Sequence, residues 1–187
     1  MSRGRASFVR RALAIGGVFA CICMGIASGV AFGARGDSRS SVFAPDHGKF
    51  KIMVSGVQAG EESFDVSRDG DNWVAHGSTE IHGSDGVTRV TGKLVLHPDG
   101  SPVRYDWSTV GGANKAAAAI TFNGPTATIV LHGKRPYTQQ FTFGSPNIAV
   151  LDNNLYDQFG ILARLYDWQK QGEQTFPVLI PQELTPG

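Results

Sequence analysis

The sequence predicts a mainly β fold: an antiparallel meander that curls into a barrel or half-barrel around one C-terminal α-helix, after an N-terminal export segment. Three observations carry this. From Gly48 onward apolar residues recur at every second position, the period of a half-buried strand. Eight such runs follow at roughly ten-residue spacing, separated by Gly, Asp, Asn and Pro turn chemistry. One later stretch, "VLDNNLYDQFGILARLYDW" at 150–168, switches to a helical period.

The chain of 187 residues opens with "MSRGRASFVRR", four arginines and no acid, followed by the uncharged run Ala12 to Ala34. A basic start, an apolar middle and small residues at the end read as a secretory signal, with Ala31 and Gly33 suited to a cleavage after Gly33. The run is also long enough to span a bilayer, so an uncleaved anchor in the inner membrane is the alternative for residues 1–34. Either way the N-terminal arginines stay cytoplasmic and the bulk is expected to be exported. Both cysteines, Cys21 and Cys23, lie inside the apolar run, and the exported part has none for a disulfide. Loss of residues 1–33 takes the formal net charge from +1 to −3 and leaves 154 residues, one domain. The remaining charges are scattered in both signs, with no basic stripe expected for nucleic acid and no polybasic patch for anionic lipid.

Residues 35–47, Ser-rich and punctuated by Pro45, read as a flexible linker. The β-rich domain, 48–187, begins with Phe50, Ile52 and Val54 alternating against Lys49, Lys51 and Met53. "VQAG" turns the chain and Phe64 and Val66 return. After "DGDN", Trp73, Ala75, Gly77, Thr79 and Ile81 share a face. After "SDG", Val90, Gly92, Leu94 and Leu96 do the same. After "PDGS" come Val103, Tyr105 and Trp107. Three more strands follow: "KAAAAITFNG", "TATIVLHG" and "YTQQFTFG". The first has strong helix propensity in its alanines, but Ile120, Thr121 and Phe122 lead straight into Asn123-Gly124 and its neighbours are strands.

The helix is expected from Asn154 to Lys170, capped by Asp152 or Asn154 with Asp157 at its third position, and stopped by Gly172. Leu155, Phe159, Leu162 and Tyr166 form a stripe that faces the sheet, Ile161, Leu165 and Trp168 a second one. Gln158, Arg164 and Asp167 remain wet. On this reading Phe159→Ala costs about 3–5 kcal/mol. The segment Phe176–Ile180 starts like a ninth strand and the sequence then stops at Pro186-Gly187. It is expected to be an unpaired edge of a domain incomplete at its C-terminus.

The candidate chemistry is sparse. His76, Ser78, Glu80 and His82 fall on one strand face, and Glu80 and His82 could share a metal if His97 or His132 supplied a third ligand. Trp73, Ala75 and Ile81 occupy the opposite face, so a solvated polar surface is the plainer reading. No nucleophile elbow, phosphate loop or dinucleotide fingerprint is present. The adjacent acids Glu61-Glu62 read as solvated charge. No cofactor and no catalytic residue is expected.

The opening hairpin, "GKFKIMVSGVQAGEESFDV", has the form G-x-F-x-I-x-x-x-G-x-x-x-G-x-E, carried by Gly48, Phe50, Ile52, Gly56, Gly60 and Glu62. With the later helical stretch it resembles uncharacterised exported bacterial envelope proteins of the DUF3108 and LolA/LolB-like curved-sheet group. That resemblance implies an apolar cavity between sheet and helix for a lipid or other apolar molecule. Phe50, Trp73, Tyr105, Trp107, Phe122 and Phe159 are then the expected ligand-binding residues. The alternatives are a structural or interaction module whose helix fills the sheet, and an enzyme built on His76, Glu80 and His82.

Overall fold

The computed structural model describes residues 41–111, 114–133 and 136–187. The expected export segment, with its cysteines, and the first part of the linker lie outside the described residues. The rest of the linker is docked rather than free. Phe43 is buried with its ring 6.0 Å from that of Trp73, the Val42 N–H donates to the Pro98 carbonyl, and the first strand begins at Asp46.

Eight strands follow in sequence order: β1 (Asp46–Val54), β2 (Val57–Asp69), β3 (Asn72–Gly83), β4 (Gly86–Leu96), β5 (Pro102–Gly111), β6 (Asn114–Asn123), β7 (Thr126–His132) and β8 (Tyr137–Thr142). Each pairs antiparallel with the next. Strands β1 and β8 have one neighbour each among the described residues, and no closed barrel is found. The first turn is Ser55-Gly56, both at positive φ (50° and 81°) as a two-residue hairpin loop demands. "VQAG", expected as that turn, belongs to β2 instead. The alanine run is strand β6. Its propensity yields to pairing on both sides, and Ala118 supplies the small residue opposite Trp107.

The register explains the core. One inner-face row reads Val66, Ala75, Leu94, Tyr105, Ile120 and Ile129, all buried. The next reads Phe64, Gly77, Gly92, Trp107, Ala118 and Leu131, so two glycines leave a trough between Phe64 and Trp107. Leu155 fills it. A Cβ added at Gly92 would lie 2.8 Å from Leu155, and one at Gly77 would lie 2.7 Å from Asp157.

After β8 the chain forms β9 (Ala149–Val150), helix α1 (Asp157–Leu165), β10 (Val178–Ile180), a single 3₁₀ turn and β11 (Thr185–Pro186). Strand β10 is central in a second small sheet, parallel to β9 and antiparallel to β11, with Leu179 fully buried. The unpaired edge expected at Phe176–Ile180 is therefore not found. Helix α1 is nine residues long, not the expected Asn154–Lys170. Asn154 takes left-handed φ (64°), which keeps it out of a helix. Past Leu165 the Asp167 carboxylate accepts the Gln169 N–H, and Gln174 bonds both the N–H and the carbonyl of Asp167. These side-chain bonds replace the helical ladder. No helix among the described residues is long and apolar enough to cross a membrane.

The late start changes the phase of the helix. Its buried positions are Asp157, Gln158 and Ile161, while Phe159 is 57% exposed. The expected Leu155–Phe159–Leu162–Tyr166 stripe is thus overturned, as is the wet position of Gln158. Leu155 does meet the sheet, from the loop before the helix. Phe159→Ala should accordingly cost under ~1 kcal/mol, and Ile161→Ala about 2–5 kcal/mol, in urea unfolding of the purified protein. The reverse order would contradict this phase.

Candidate functional site

The seam between sheet and helix is built on an acid that strand alternation turns inward. Glu62 is in phase with Phe64 and Val66 on β2 and is completely buried, not solvated. Helix α1 has no side-chain cap of its own. Two amides at its start are instead taken by the Glu62 carboxylate, which accepts the Tyr156 N–H at 2.7 Å and the Asp157 N–H at 2.8 Å. A buried anion at a helix start also suits the helix dipole. The polar residues of the helical stretch gave no hint of this, but the parity of Glu62 with Phe64 and Val66 was a readable signal.

Asp157 lies beside this carboxylate. Burial, then a hydrogen bond with Glu62 and that neighbour's charge, pushes its carboxyl up to about 7. A second buried network adjoins it. The Tyr105 hydroxyl donates to Asp152 at 2.9 Å, Gln158 donates to the Tyr105 oxygen at 3.1 Å, and the Gln158 carbonyl accepts the Asp152 N–H. The Gln182 N–H donates to Asp152 from the 3₁₀ turn. Burial raises Asp152 to about 6 against these bonds, and burial beside Asp152 pushes the Tyr105 hydroxyl far up. Such acids could serve proton transfer if substrate reached them. The opening beside Gln158, lined by Leu94, Leu96, Ile161 and Leu165, has no room for a water molecule. These groups fasten the helix and the small sheet to the large one.

The aromatic residues divide. Trp73, Tyr105 and Trp107 are buried in the packed core, and Phe122 packs against it half-buried. Phe50 is partly exposed and stacks on Phe64 at 5.1 Å, while Phe159 faces solvent. Beside Phe50 an open apolar groove of about 290 Å³ runs between the β1 edge and the start of α1, lined by Phe50, Lys51, Ile52, Met53 and Tyr156. There the sheet–helix seam is left open by the side chains that line it.

The outer face carries a larger groove, about 540 Å³, over a row of hydroxyls from Ser63, Ser78, Thr91 and Ser108. It offers hydrogen bonds but no aromatic side chain of that face. His76, Glu80 and His82 share this face. Glu80 is ion-paired to Arg89 at 2.5 Å, with His82 3.8 Å away. No three His, Cys, Asp or Glu side chains among the described residues are grouped to hold a metal.

No family model, curated protein or solved structure matches the chain.

The raised acids fix the sign of a pH dependence. Asp157 and Asp152 hold protons in the folded state that the unfolded chain releases near pH 4, so their contribution is complete below that and lost as pH rises through about 6 and 7. Urea midpoints should fall between pH 5 and 8, by about 2–4 kcal/mol of stability. Asp157→Asn, which imitates the protonated acid, should flatten much of that fall and be more stable than wild type at pH 8. A fall of unchanged size in the variant would contradict the assignment.

Proposed function

We propose that the protein is a non-enzymatic, exported cell-envelope protein that holds the acyl chain of an anionic lipid where the sheet meets the start of α1. The eight-stranded sheet acts in this reading as a half-barrel around α1, in keeping with the curved-sheet envelope proteins that the hairpin motif resembles. The observation that carries the proposal is the groove of Phe50, Ile52, Met53 and Tyr156 with Lys51 at its rim. Its apolar walls suit a single chain, its volume of about 290 Å³ falls just below the roughly 300–1,000 Å³ range of ligand sites, and the lysine suits a carboxylate or phosphate headgroup. The ligand is placed at the margin rather than beneath the helix, because the space beneath it is filled. That same filling favours the second reading, an interaction module that binds no lipid.

Titration of the full-length protein with a fluorescent fatty acid separates the two. Phe50→Ala/Tyr156→Ala should weaken binding by roughly tenfold or more, from the apolar contact removed. Trp168→Ala, at an exposed aromatic outside the groove, should leave binding unchanged. Absence of binding by wild type, or equal binding by the double variant, would refute the groove as the site. Native mass spectrometry of protein from its own host, consistently free of lipid, would favour the interaction module.

A further inference from the structure

The exposed apolar side chains are concentrated at one end of the large sheet. Of the eleven large ones among the described residues, six are gathered there: Met53, Val54, Val57, Val87, Val110 and Tyr137, each 45–70% exposed. The register defines that end, where β1 turns into β2, β3 into β4, β5 finishes and β8 starts. The turns at the opposite end are polar and acidic, Asp69-Gly70-Asp71-Asn72 and Pro98-Asp99-Gly100-Ser101. Isolated surface valines are ordinary, but a rim of apolar tips along one end is not.

The charges follow the same division. At the apolar end Glu61 and Glu80 are held by Lys49 and Arg89, at 2.9 and 2.5 Å. Lys51 and Lys115 are exposed there and make no ion pair among the described residues. Asp85 is the remaining acid of these turns. One end of the sheet thus combines apolar tips with spare positive charge.

We propose that this end of the sheet docks, tips first, on a bilayer surface that carries anionic headgroups. The valines, Met53 and Tyr137 enter the interfacial layer, and Lys51 and Lys115 meet the headgroups. Separate hairpin tips fit a fluid surface, whereas a folded partner would have to match each of them across roughly 800 Å². Hairpin turns also keep their strand backbone paired, so side chains can enter the interface without stranding backbone amides. The set shares Lys51 and Met53 with the acyl groove but not Phe50, Ile52 or Tyr156, and the three valines chosen for substitution below lie outside that groove.

Amide hydrogen exchange of the full-length protein tests this on two vesicle preparations, phosphatidylcholine alone and phosphatidylcholine with phosphatidylglycerol. Exchange at residues 53–58 and 83–87 should slow roughly tenfold on the anionic vesicles, while residues 69–72 and 98–101 keep their rates in free protein. Attachment through residues 12–34 would be common to both preparations and would not distinguish the two ends. No slowing at the tips, equal slowing at both ends, or the same slowing on phosphatidylcholine alone overturns the proposal. The variant Val57→Asp/Val87→Asp/Val110→Asp should lose the slowing yet still bind the fluorescent fatty acid. Slowing retained in that variant also overturns it, whereas loss of fatty-acid binding in Phe50→Ala/Tyr156→Ala concerns only the groove.

Discussion

The structure depends on one carboxylate inside a sheet. Glu62 has no access to water, and its two oxygens take the amides of Tyr156, just before α1, and of Asp157, its first residue. An unpaired acid there would be costly, and so would an unpaired, buried Asp157 N–H, so each side has no better partner. The bond sets where the helix starts, and the start sets its phase. That phase puts Asp157 and Gln158 against the sheet, brings Leu155 into the trough over Gly77 and Gly92, and leaves Phe159 outside. The Tyr105–Asp152–Gln158 network then ties the same loop to β5 and, through Gln182, to the small sheet.

Much of the large sheet was legible because alternation is a backbone property. Trp73 to Ile81 and Val90 to Leu96 each present the face their parity assigns, and even the alanine run obeys its neighbours. The helix was not legible in the same way. Its length was overestimated because apolar periodicity persists through Tyr166 and Trp168, while the side-chain bonds of Asp167 and Gln174 that end it leave little pattern. Its phase was misread because a stripe of large residues was assumed to seek the core. A trans cap outweighed that preference, and it comes from a residue 94 positions away. The unexpected pairing of β10 on both sides likewise rests on partners, β9 and β11, of two residues each.

For the candidate site the division is similar. Phe50 and Tyr156 meet because Glu62, the cross-strand partner of Phe50, holds the amide of Tyr156. The groove is therefore a by-product of the cap: the strand that fastens the helix also carries its neighbour's aromatic ring to the helix start. Trp73, Tyr105 and Trp107 share the inner face with Phe50 but lie in rows that the chain fills itself. Parity alone could not separate lining residues from core residues, since both point the same way. Position along the strand, relative to the cap, decides it.

The most direct measurement is native-state exchange of the Tyr156 and Asp157 amides. If Glu62 holds them inside the sheet, they exchange only through global unfolding, at the slow rate of the central β3–β4 amides. Exchange as fast as an uncapped, solvent-exposed helix start would contradict the capping of α1 by Glu62, and with it the phase of the helix.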